Sequence, residues 1–501
     1  MFMPILDWFN KKEALKTADK TPYKVLVENK ELSYGDQTQG NMLIKGDNLE
    51  ALKALLPYYK GRVKCIYIDP PYNTGSAFEH YDDNLEHSTW LSMMYPRLEL
   101  LRELLSENGV LFINLDEMEH AYCKVICDEI FGRSNYLGDL IWQKRKGGGN
   151  DSHFFAIDHD YILVYTKNND KKIHPHKWLV SQSEEYRKRY KEIAEDGRRF
   201  YWDTIARDGL QNPIPVQIRC PDGFILRINS QRSQATIEKG LKTGEIRLTK
   251  SKNGWTLHHR VYIPAGQVLR SVLNDVGTNK TAGDETIALF GKNNAFDYPK
   301  PELLMQRILE LASKPGDIVL DSFLGSGTTV AVAQKMGRKY IGIEMGEHAI
   351  THCAPRLQQV TDGTDQGGIS KAVNWTGGSG FTFYDLGKPI FDEEGNINHG
   401  ISFKDLAFHV WFSETKTPMQ DYKYSPLLGV YKDTAYYLLY NGVLGDKRVN
   451  GGNVLTSKVL ESLPPFDGPK VIYGESCRLS PERLKKENII FKQTPYEITA
   501  R

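Results

Sequence analysis

Two short segments carry residue types that could bind a base and modify it. Asp69, Pro70, Pro71 and Tyr72 directly follow the apolar run VKCIYI. A carboxylate, a proline-stiffened carbonyl and an aromatic ring suit a flat base with an amino group: Asp69 and the Pro70 carbonyl accept its two N–H bonds while Tyr72 stacks on the ring. Acceptors placed in this way localise the nitrogen lone pair and aim it at an electrophile. We therefore predict that Asp69 orients the amine and is not a full general base.

A glycine-rich turn forms the second segment. The strand-like run IVL leads into DSFLGSGTT, whose glycines let the backbone turn sharply into a helix and contact a ligand. Glu344 ends the next apolar run, 23 residues after Asp321, where a carboxylate can accept both ribose hydroxyls of a nucleoside. The chain has no P-loop pattern, so a nucleoside triphosphate is not implied. The residues of this turn are Asp321, Phe323, Gly325, Ser326 and Gly327, and a helix opens at Thr328.

Alternating strands and helices position both segments. Between residues 41 and 167, and again between 293 and 362, apolar runs of strand length alternate with runs of helical spacing. This alternation is typical of a largely parallel sheet with helices on both faces. Ligands bind such sheets at the carboxyl ends of the strands, so we expect the two segments to share one cleft, although about 250 residues separate them.

The middle of the chain has a different composition. Residues 168–292 are polar and turn-rich, with hairpin-like pieces such as GEIRLTK and GWTLHHRVYIP. Residues 141–300 contain 27 Lys and Arg against 18 Asp and Glu, whereas the whole 501-residue chain has a net charge of +1. A basic insert between acidic flanks is typical of a module that faces nucleic-acid phosphates.

These motifs carry a resemblance to a known family. DPPYNTG together with DSFLGSGTT resembles the β class of amino-methyltransferases that modify DNA, in which the catalytic motif precedes the cofactor motif. KGDNLEAL, FDYPKP and GIEMGEHA occupy the family's places, so the resemblance covers about residues 40–167 and 290–360. YDDNLEHSTWLSMMYPRLELLRELL, GTNKTAGDETIALFG and YGESCRLSPERLKKENIIFKQTPYEI are similar to modification subunits of Type III restriction systems and their solitary relatives.

The resemblance implies a fold, a reaction and roles for particular residues. It implies a permuted Rossmann-like methyltransferase core with a mostly parallel seven-stranded sheet, and methyl transfer from S-adenosylmethionine to N6 of a flipped-out adenine in double-stranded DNA. A homodimer and a partner restriction subunit are implied as well. The catalytic motif is Asp69, Pro70, Pro71 and Tyr72. The implied cofactor contacts outside the glycine-rich turn are Asp47 at the adenine, Phe296, Pro299 and Lys300 at the methionine end, and Asp69 itself.

The expected domains follow from these assignments. They are an N-terminal extension (1–40), the catalytic half of the core (41–167), a target-recognition domain (168–292), the cofactor-binding half (293–362), a linker (363–380) and an α+β C-terminal accessory domain (381–501). Asn73 and the basic loop residues Lys144, Arg145 and Lys146 are predicted to contact DNA.

Three expectations concern what the chain lacks. His258 and His259 have no acidic or cysteine partners at ligand spacing, so no metal site is predicted. The N-terminal MFMPILDWFN has Asp7 inside its apolar stretch and no basic leader, which argues against export. No run approaches the roughly 18 apolar residues of a membrane span, so we expect a cytoplasmic protein without membrane contact.

Three alternative activities fit parts of the same pattern. Cytosine N4 methylation uses similar acceptors, although Ser often replaces the first Asp of the motif there, so Asp69 favours adenine. Methylation of RNA fits less well with the large basic insert. A non-catalytic DNA-binding assembly subunit would have no physical reason to keep Asp69, Tyr72, Gly325 and Glu344 together.

Overall fold

The computed structural model describes most of the chain as two compact units. The described residues are 5–72, 87–147, 153–173, 178–180, 184–206, 209, 211–252, 254–443, 447–448 and 451–498. The larger unit comprises Met1–His176 and Arg270–Arg501, and the smaller comprises Lys177–Leu269. The smaller unit lies within the segment 168–292 that was predicted to be a separate module.

The first part of the larger unit alternates strands and helices as predicted. Its strands are β1 (Lys24–Gly35), β2 (Met42–Lys45), β3 (Val63–Ile68), β4 (Leu105–Leu115), β5 (Tyr136–Gln143) and β6 (His159–Thr166). Its helices are α1 (Lys11–Lys20), α2 (Asn48–Tyr59), α3 (His87–Leu104) and α4 (His120–Cys127). Strands β3 and β4 are almost continuous apolar runs because both faces of the sheet are covered.

The smaller unit consists of short strands and two helices around its own apolar core. Its strands are β7 (Leu179–Val180), β8 (Glu192–Ile193), β9 (Arg199–Thr204), β10 (Ile214–Arg219), β11 (Ile225–Ser230), β12 (Ile246–Ser251), β13 (Gly254–Tyr262) and β14 (Gln267–Val268). Its helices are α5 (Glu184–Arg187) and α6 (Gln234–Thr243). The predicted hairpin of GEIRLTK and GWTLHHRVYIP is confirmed as the antiparallel pair β12–β13. The core residues are Ile205, Val216, Ile218, Ile237, Ile246 and Leu257.

The remainder of the larger unit resumes the α/β alternation and then adds two smaller sheets, of four and two strands. Its strands are β15 (Val272–Leu273), β16 (Ile318–Asp321), β17 (Lys339–Glu344), β18 (Gly380–Pro389), β19 (Leu427–Tyr431), β20 (Thr434–Leu438), β21 (Val454–Leu455), β22 (Lys470–Gly474), β23 (Ser476–Cys477) and β24 (Ile489–Gln493). Its helices are α7 (Asn279–Phe290), α8 (Glu302–Ala312), α9 (Thr328–Lys335), α10 (Ala354–Asp362), α11 (Phe403–Thr415), α12 (Ser457–Ser462) and α13 (Pro481–Lys486).

The central sheet has the order β1-β18-β2-β17-β16-β3-β4-β6-β5-β15. The neighbours from β18 to β4 pair in parallel, whereas β6 is antiparallel to both β4 and β5. The predicted mostly parallel α/β sheet is therefore confirmed. Its seven predicted strands are, in spatial order, β2, β17, β16, β3, β4, β6 and β5. Strands β1, β18 and β15 extend this run to ten, because segments without a recognisable strand pattern pair with its two edges.

Parallel pairing brings the two motifs together. Val319 of β16 lies opposite Cys65 of β3, so the two strands are direct neighbours that run in the same direction. Asp69 follows the end of β3 and Asp321 ends β16, so both lie at the same edge of the sheet. The expected juxtaposition of the two segments is confirmed.

The segments outside the two core halves are integrated into the larger unit. Strand β1, from the predicted extension, pairs with β18, which pairs in turn with β2. Ile369 and Ser370, in the predicted linker, are fully buried. Other residues of this segment, such as Gly367 and Gly368, are exposed, so its turns are packed only in part. Among the helices of the described residues, none combines the length and the apolar character that crossing a bilayer requires.

Candidate active site

A cavity of about 280 Å³ opens where the two motifs meet at the sheet edge. The catalytic-motif side contributes Asp69, Pro70, Pro71 and Tyr72, and the glycine-turn side contributes Asp321, Phe323, Gly325, Ser326 and Thr328. Phe296, Pro299 and Lys300 line the same cavity. The structure thus brings together most of the residues that the sequence selected.

The Asp69 carboxylate is held by hydrogen bonds from both sides. Its Oδ1 accepts from the Tyr72 hydroxyl at 2.7 Å, and its Oδ2 forms an ion pair with the Lys300 ammonium. The Pro71 carbonyl accepts from Nε1 of Trp90, a fully buried residue of α3, at 2.7 Å. Burial raises the pKa of the Tyr72 phenol well above its usual range, helped by the nearby carboxylates. Tyr72 therefore stays protonated and serves as a donor to Asp69.

A second, buried layer of polar side chains supports this arrangement. The Asn114 amide on β4 lies within hydrogen-bond distance of Tyr72 Oη and 3.5 Å from Asp69 Oδ1. Asp160, at the start of β6, has its Oδ2 3.3 Å from the Tyr72 hydroxyl, and its Oδ1 pairs with Lys144 Nζ at 2.6 Å. The side chain of Asp160 is only 2% exposed, so Lys144 neutralises a charge that water barely reaches.

Replacing Lys144 by Met should destabilise the protein by about 3 kcal/mol, because it leaves the Asp160 carboxylate buried without a cation. We place the loss at the lower end of the range for broken buried pairs because Lys144 itself is 20% exposed. Urea unfolding measures it. Lys146→Met is the matched control, since within the described residues the exposed Lys146 ammonium bonds to the Asn274 carbonyl and to no carboxylate. Equal losses in both variants would contradict the role of the Lys144–Asp160 pair.

The glycine turn is organised by the Glu344 carboxylate. Its Oε2 accepts from the Gly325 amide at 2.7 Å, and its Oε1 accepts from the Gly346 amide at 3.1 Å. Gly325 and Gly327 have φ values of 54° and 76°, which only glycine adopts without strain, and α9 begins at the next residue. Burial raises the pKa of Glu344, although both backbone donors act in the opposite direction.

Asp321 fixes the same turn from inside. Its Oδ1 accepts from the Phe323 amide at 3.0 Å and its Oδ2 from the Thr329 hydroxyl at 2.6 Å. Burial nevertheless raises the pKa of the Asp321 carboxyl from 3.8 to about 7. The folded protein therefore retains a proton that the unfolded chain has lost, and the free energy of unfolding falls as the pH rises from about 4 to about 7.

The isosteric substitution Asp321→Asn removes this titration and can keep both hydrogen bonds, because the Thr329 hydroxyl can also accept. We expect the stability of the variant relative to the wild-type protein to increase as the pH rises from 5 to 8, measured by urea unfolding without ligand. The exposed Asp421→Asn is the control and should show no such trend. A constant difference, or a trend in the other direction, would rule out a proton held by Asp321.

A buried ionic cluster lies directly behind the turn. Lys335 on α9 pairs with Glu302 at 2.8 Å and with Asp365 at 2.7 Å, and all three side chains are at most 2% exposed. Arg356 on α10 pairs with Glu302 at 2.9 Å and donates to the Thr328 hydroxyl at 2.8 Å. The cluster thereby ties α8, α9 and α10 to the turn and fixes its position.

Some predicted residues lie outside the cavity. Asp47, Gly327 and Glu344 are not among its lining residues in the described part of the chain. Asp47 caps α2 through the Leu49 amide and pairs with Arg97 at 3.0 Å. Its contact with the cofactor adenine stays a prediction.

The residues predicted to contact DNA also have different surroundings in the structure. Lys144 lines the cavity, whereas Arg145 pairs with Asp158 at 3.2 Å and Lys146 bonds to a backbone carbonyl. Asn73 lies outside the described residues.

Several residues in or beside the cavity were not selected from the sequence. Asn114, Asp116 and Asp160 are polar residues within or beside the apolar strands β4 and β6. A polar residue that interrupts an apolar run is the sequence feature that could have indicated a role in the site. Asp116 lines the cavity, and burial raises the pKa of its carboxyl to about 6. Tyr67, on β3, also lines the cavity, and its buried hydroxyl has no hydrogen-bond partner within the described residues. No group of three or more His, Cys, Asp or Glu residues suited to a metal occurs in those residues.

Residues 63–354 match the family described as DNA methylase (N6_N4_Mtase), and this match covers more than half of the chain. The chain belongs to the DNA methylase family. This methylase is 32% identical over 403 residues to the protein named "Probable type III restriction-modification enzyme HindVI Mod subunit" of Haemophilus influenzae, covering 69% of this chain and 54% of that one.

Two further Mod subunits match the methylase over a similar region. The Type III enzyme StyLTI Mod subunit of Salmonella typhimurium is 32% identical over 364 residues, covering 65% of this chain and 54% of that one. The EcoP15I Mod subunit of Escherichia coli is 29% identical over 405 residues, covering 67% and 62%. The resemblance to Type III modification subunits is confirmed, and the methylase spans about half the length of the first two of these relatives.

Proposed function

We propose that the chain is an S-adenosylmethionine-dependent DNA methyltransferase that methylates N6 of an adenine flipped out of the duplex. The observation that carries this proposal is the single cavity shared by Asp69 and Tyr72 on one side and the glycine turn on the other. A cofactor and a base bound in these two halves would meet within one cavity. Membership of the DNA methylase family supports the proposal.

The glycine-turn half of the cavity fits S-adenosylmethionine. Gly325 lets the backbone approach a ligand closely, and Phe296 and Phe323 supply apolar surface. Glu344 holds the turn from outside the cavity lining, so its contact with the ribose hydroxyls stays a prediction. Tyr67 lines the cavity, and its buried hydroxyl, which has no partner within the described residues, is a polar group that a bound ligand could satisfy. When bound, S-adenosylmethionine supplies an electrophilic methyl group.

The Asp69 half fits an extruded base with an exocyclic amine. Flipping costs a few kcal/mol of lost pairing and stacking, which stacking on Tyr72 and hydrogen bonds to Asp69 and the Pro70 carbonyl would offset. Asp69 accepts an N–H bond of the amine and thereby directs its lone pair. Such positioning can supply roughly 7–11 kcal/mol of the reduction in barrier, so these residues need no covalent intermediate.

Charge supports DNA as the substrate. The smaller unit, residues 177–269, has 17 Lys and Arg against 10 Asp and Glu in a chain with a net charge of +1. The loop between β5 and β6 carries Lys144, Arg145 and Lys146 at the edge of the sheet that holds the cavity. Phe154 and Phe155 on that loop are 87% and 76% exposed, which leaves two aromatic rings available beside the basic residues.

The relatives support a role in restriction and modification. The similar proteins are named as Mod subunits of Type III restriction-modification enzymes. We propose that this chain acts in the cytoplasm as a homodimer, either paired with a restriction subunit in such a system or as a solitary modification enzyme. Size-exclusion chromatography with light scattering tests the dimer, and the absence of a dimer at working concentrations would remove that part of the proposal.

Mass spectrometry of DNA from a methylation-free host that expresses the chain tests the activity. We expect N6-methyladenine and, by single-molecule sequencing, a defined recognition sequence. N4-methylcytosine without N6-methyladenine would identify a cytosine enzyme, and methylation of RNA but not of duplex DNA would identify an RNA enzyme. No modified base from a folded, cofactor-binding protein would favour a non-catalytic subunit.

Exchange of the smaller unit tests its proposed role as the target-recognition domain. Replacing Lys177–Leu269 by the corresponding segment of a relative with a different recognition sequence should change the methylated site and leave the modified base the same. Single-molecule sequencing reads both results. An unchanged site in an active chimera would refute the assignment.

A further inference from the structure

An isolated two-stranded ribbon in the smaller unit has two different faces. Strands β10 and β11 pair antiparallel along all six positions without a register shift. Side chains alternate along both strands, so that Val216 and Ile218 join the core of the unit together with Leu226 and Ile228. The ribbon is therefore fixed on its inner side and open on its outer side.

The outer face carries long polar side chains. Gln217 lies opposite Arg227 in the register. Arg219 lies two residues from Gln217 on one strand and Asn229 lies two residues from Arg227 on the other, so that they flank this pair on opposite sides. All four side chains are exposed. Within the described part of the chain, no hydrogen bond or ion pair engages these four side chains. Arg198 and Arg260 of the same unit, by contrast, pair with acidic side chains, Arg198 with Asp196 at 2.6 Å and Arg260 with Glu195 at 2.7 Å.

The platform beneath these side chains is rigid. The Gln234 side chain at the start of α6 accepts from the Gln217 amide at 3.0 Å and donates to the Gln217 carbonyl at 2.8 Å. This pair ties the ribbon to a helix whose Ile237 is buried in the same core. Side chains that recognise a partner by geometry need such a fixed base.

The outer residues are the types that read base edges. The major groove of DNA admits a two-stranded ribbon, Arg donates bidentately to guanine O6 and N7, and Asn or Gln pairs bidentately with adenine N6 and N7. The smaller unit has 17 basic residues against 10 acidic ones, which favours a polyanionic partner. Amide and arginine side chains together on one face also favour contacts to bases over contacts to phosphates alone.

We propose that the outer face of the β10–β11 ribbon enters the major groove and reads the recognition sequence through Gln217, Arg219, Arg227 and Asn229. This assignment rests on the proposed function, because it requires that the chain modifies duplex DNA at a defined site. It names the surface and the groove that set the sequence specificity.

Single-molecule sequencing of DNA from a methylation-free host tests the ribbon. Gln217→Ala and Arg227→Ala should each relax the methylated site at one base pair, with discrimination there reduced about 10- to 100-fold. Lys239→Ala, which removes an exposed positive charge on α6, is the control and should keep the wild-type site. An equally strict, unchanged site in both ribbon variants would overturn the assignment.

A binding measurement covers variants that no longer methylate. If such a variant is folded and binds the cofactor, fluorescence anisotropy compares its affinity for the wild-type site with that for a random duplex. Loss of preference with unchanged affinity for random DNA supports base reading, and Arg227→Lys should show it too because it keeps the charge but not the bidentate geometry. Equal weakening on both duplexes would show phosphate contact and overturn the proposal. If the wild-type protein methylates no DNA, the proposed function itself has failed.

Discussion

Asp69→Ala is expected to bind S-adenosylmethionine as the wild-type protein does and to lose about 100- to 1000-fold in the rate of methyl transfer. The substitution removes the carboxylate that accepts from the target amine, whereas the glycine turn and Glu344 are untouched. Asp69→Asn should behave similarly, because an amide offers one acceptor oxygen instead of two and turns an N–H donor toward other donors. Radiolabelled methyl transfer and calorimetric cofactor binding measure the two effects.

The control for this pair is Asp421→Asn, which alters an exposed carboxylate outside the site. Lys300 loses its partner in both Asp69 variants, so their melting temperatures must accompany the kinetics. Full transfer by Asp69→Ala would remove the proposed role of this carboxylate. Loss of cofactor binding together with transfer would assign Asp69 to the cofactor rather than to the base.

Glu344→Gln should weaken cofactor binding about 10- to 100-fold. The two carboxylate oxygens accept from Gly325 and Gly346, and an amide replaces one of them by a donor that faces another donor. One buried N–H group is then left without an acceptor, which costs about 1–3 kcal/mol and loosens the turn. A ribose hydroxyl would lose an acceptor at the same position.

Isothermal calorimetry with S-adenosylmethionine measures this loss. Glu347→Gln is the matched control, since it makes the same chemical change three residues away on a side chain that is 74% exposed. Similar dissociation constants for Glu344→Gln and the wild-type protein would show that the carboxylate is not needed to hold the turn or the ribose.

The sequence was sufficient to predict the centre of the fold and most of the cavity. Apolar runs such as VKCIYI and IVLD are strands because both sheet faces are buried, and this requirement appears directly in residue type. The strand-end positions of Asp69 and Asp321 then follow from one rule, that parallel strands present their carboxyl ends at the same edge.

The supporting contacts were beyond prediction because they depend on strand neighbours. Asn114 reaches Tyr72 because β4 pairs with β3, and Asp160 does so because β6 pairs antiparallel with β4; no local pattern specifies these pairings. Strands β1 and β18 joined the sheet for the same reason, as edge partners chosen by tertiary contact. The role of Asp47 is ambiguous in the sequence for a different reason. An aspartate can serve as a helix N-cap or as a ligand contact, and the residue type alone does not distinguish the two.

The pairing of Cys65 with Val319 also bears on how the protein is made. A ribosome adding about 5–20 residues per second needs on the order of 10 to 50 seconds to synthesise the roughly 250 residues between them. During that interval the nascent β3 has one edge without its native neighbour, and the smaller unit is synthesised before β16 emerges. The catalytic strand must therefore wait for its partner in an aggregation-prone state, so yields of active protein should depend on chaperones and on translation speed.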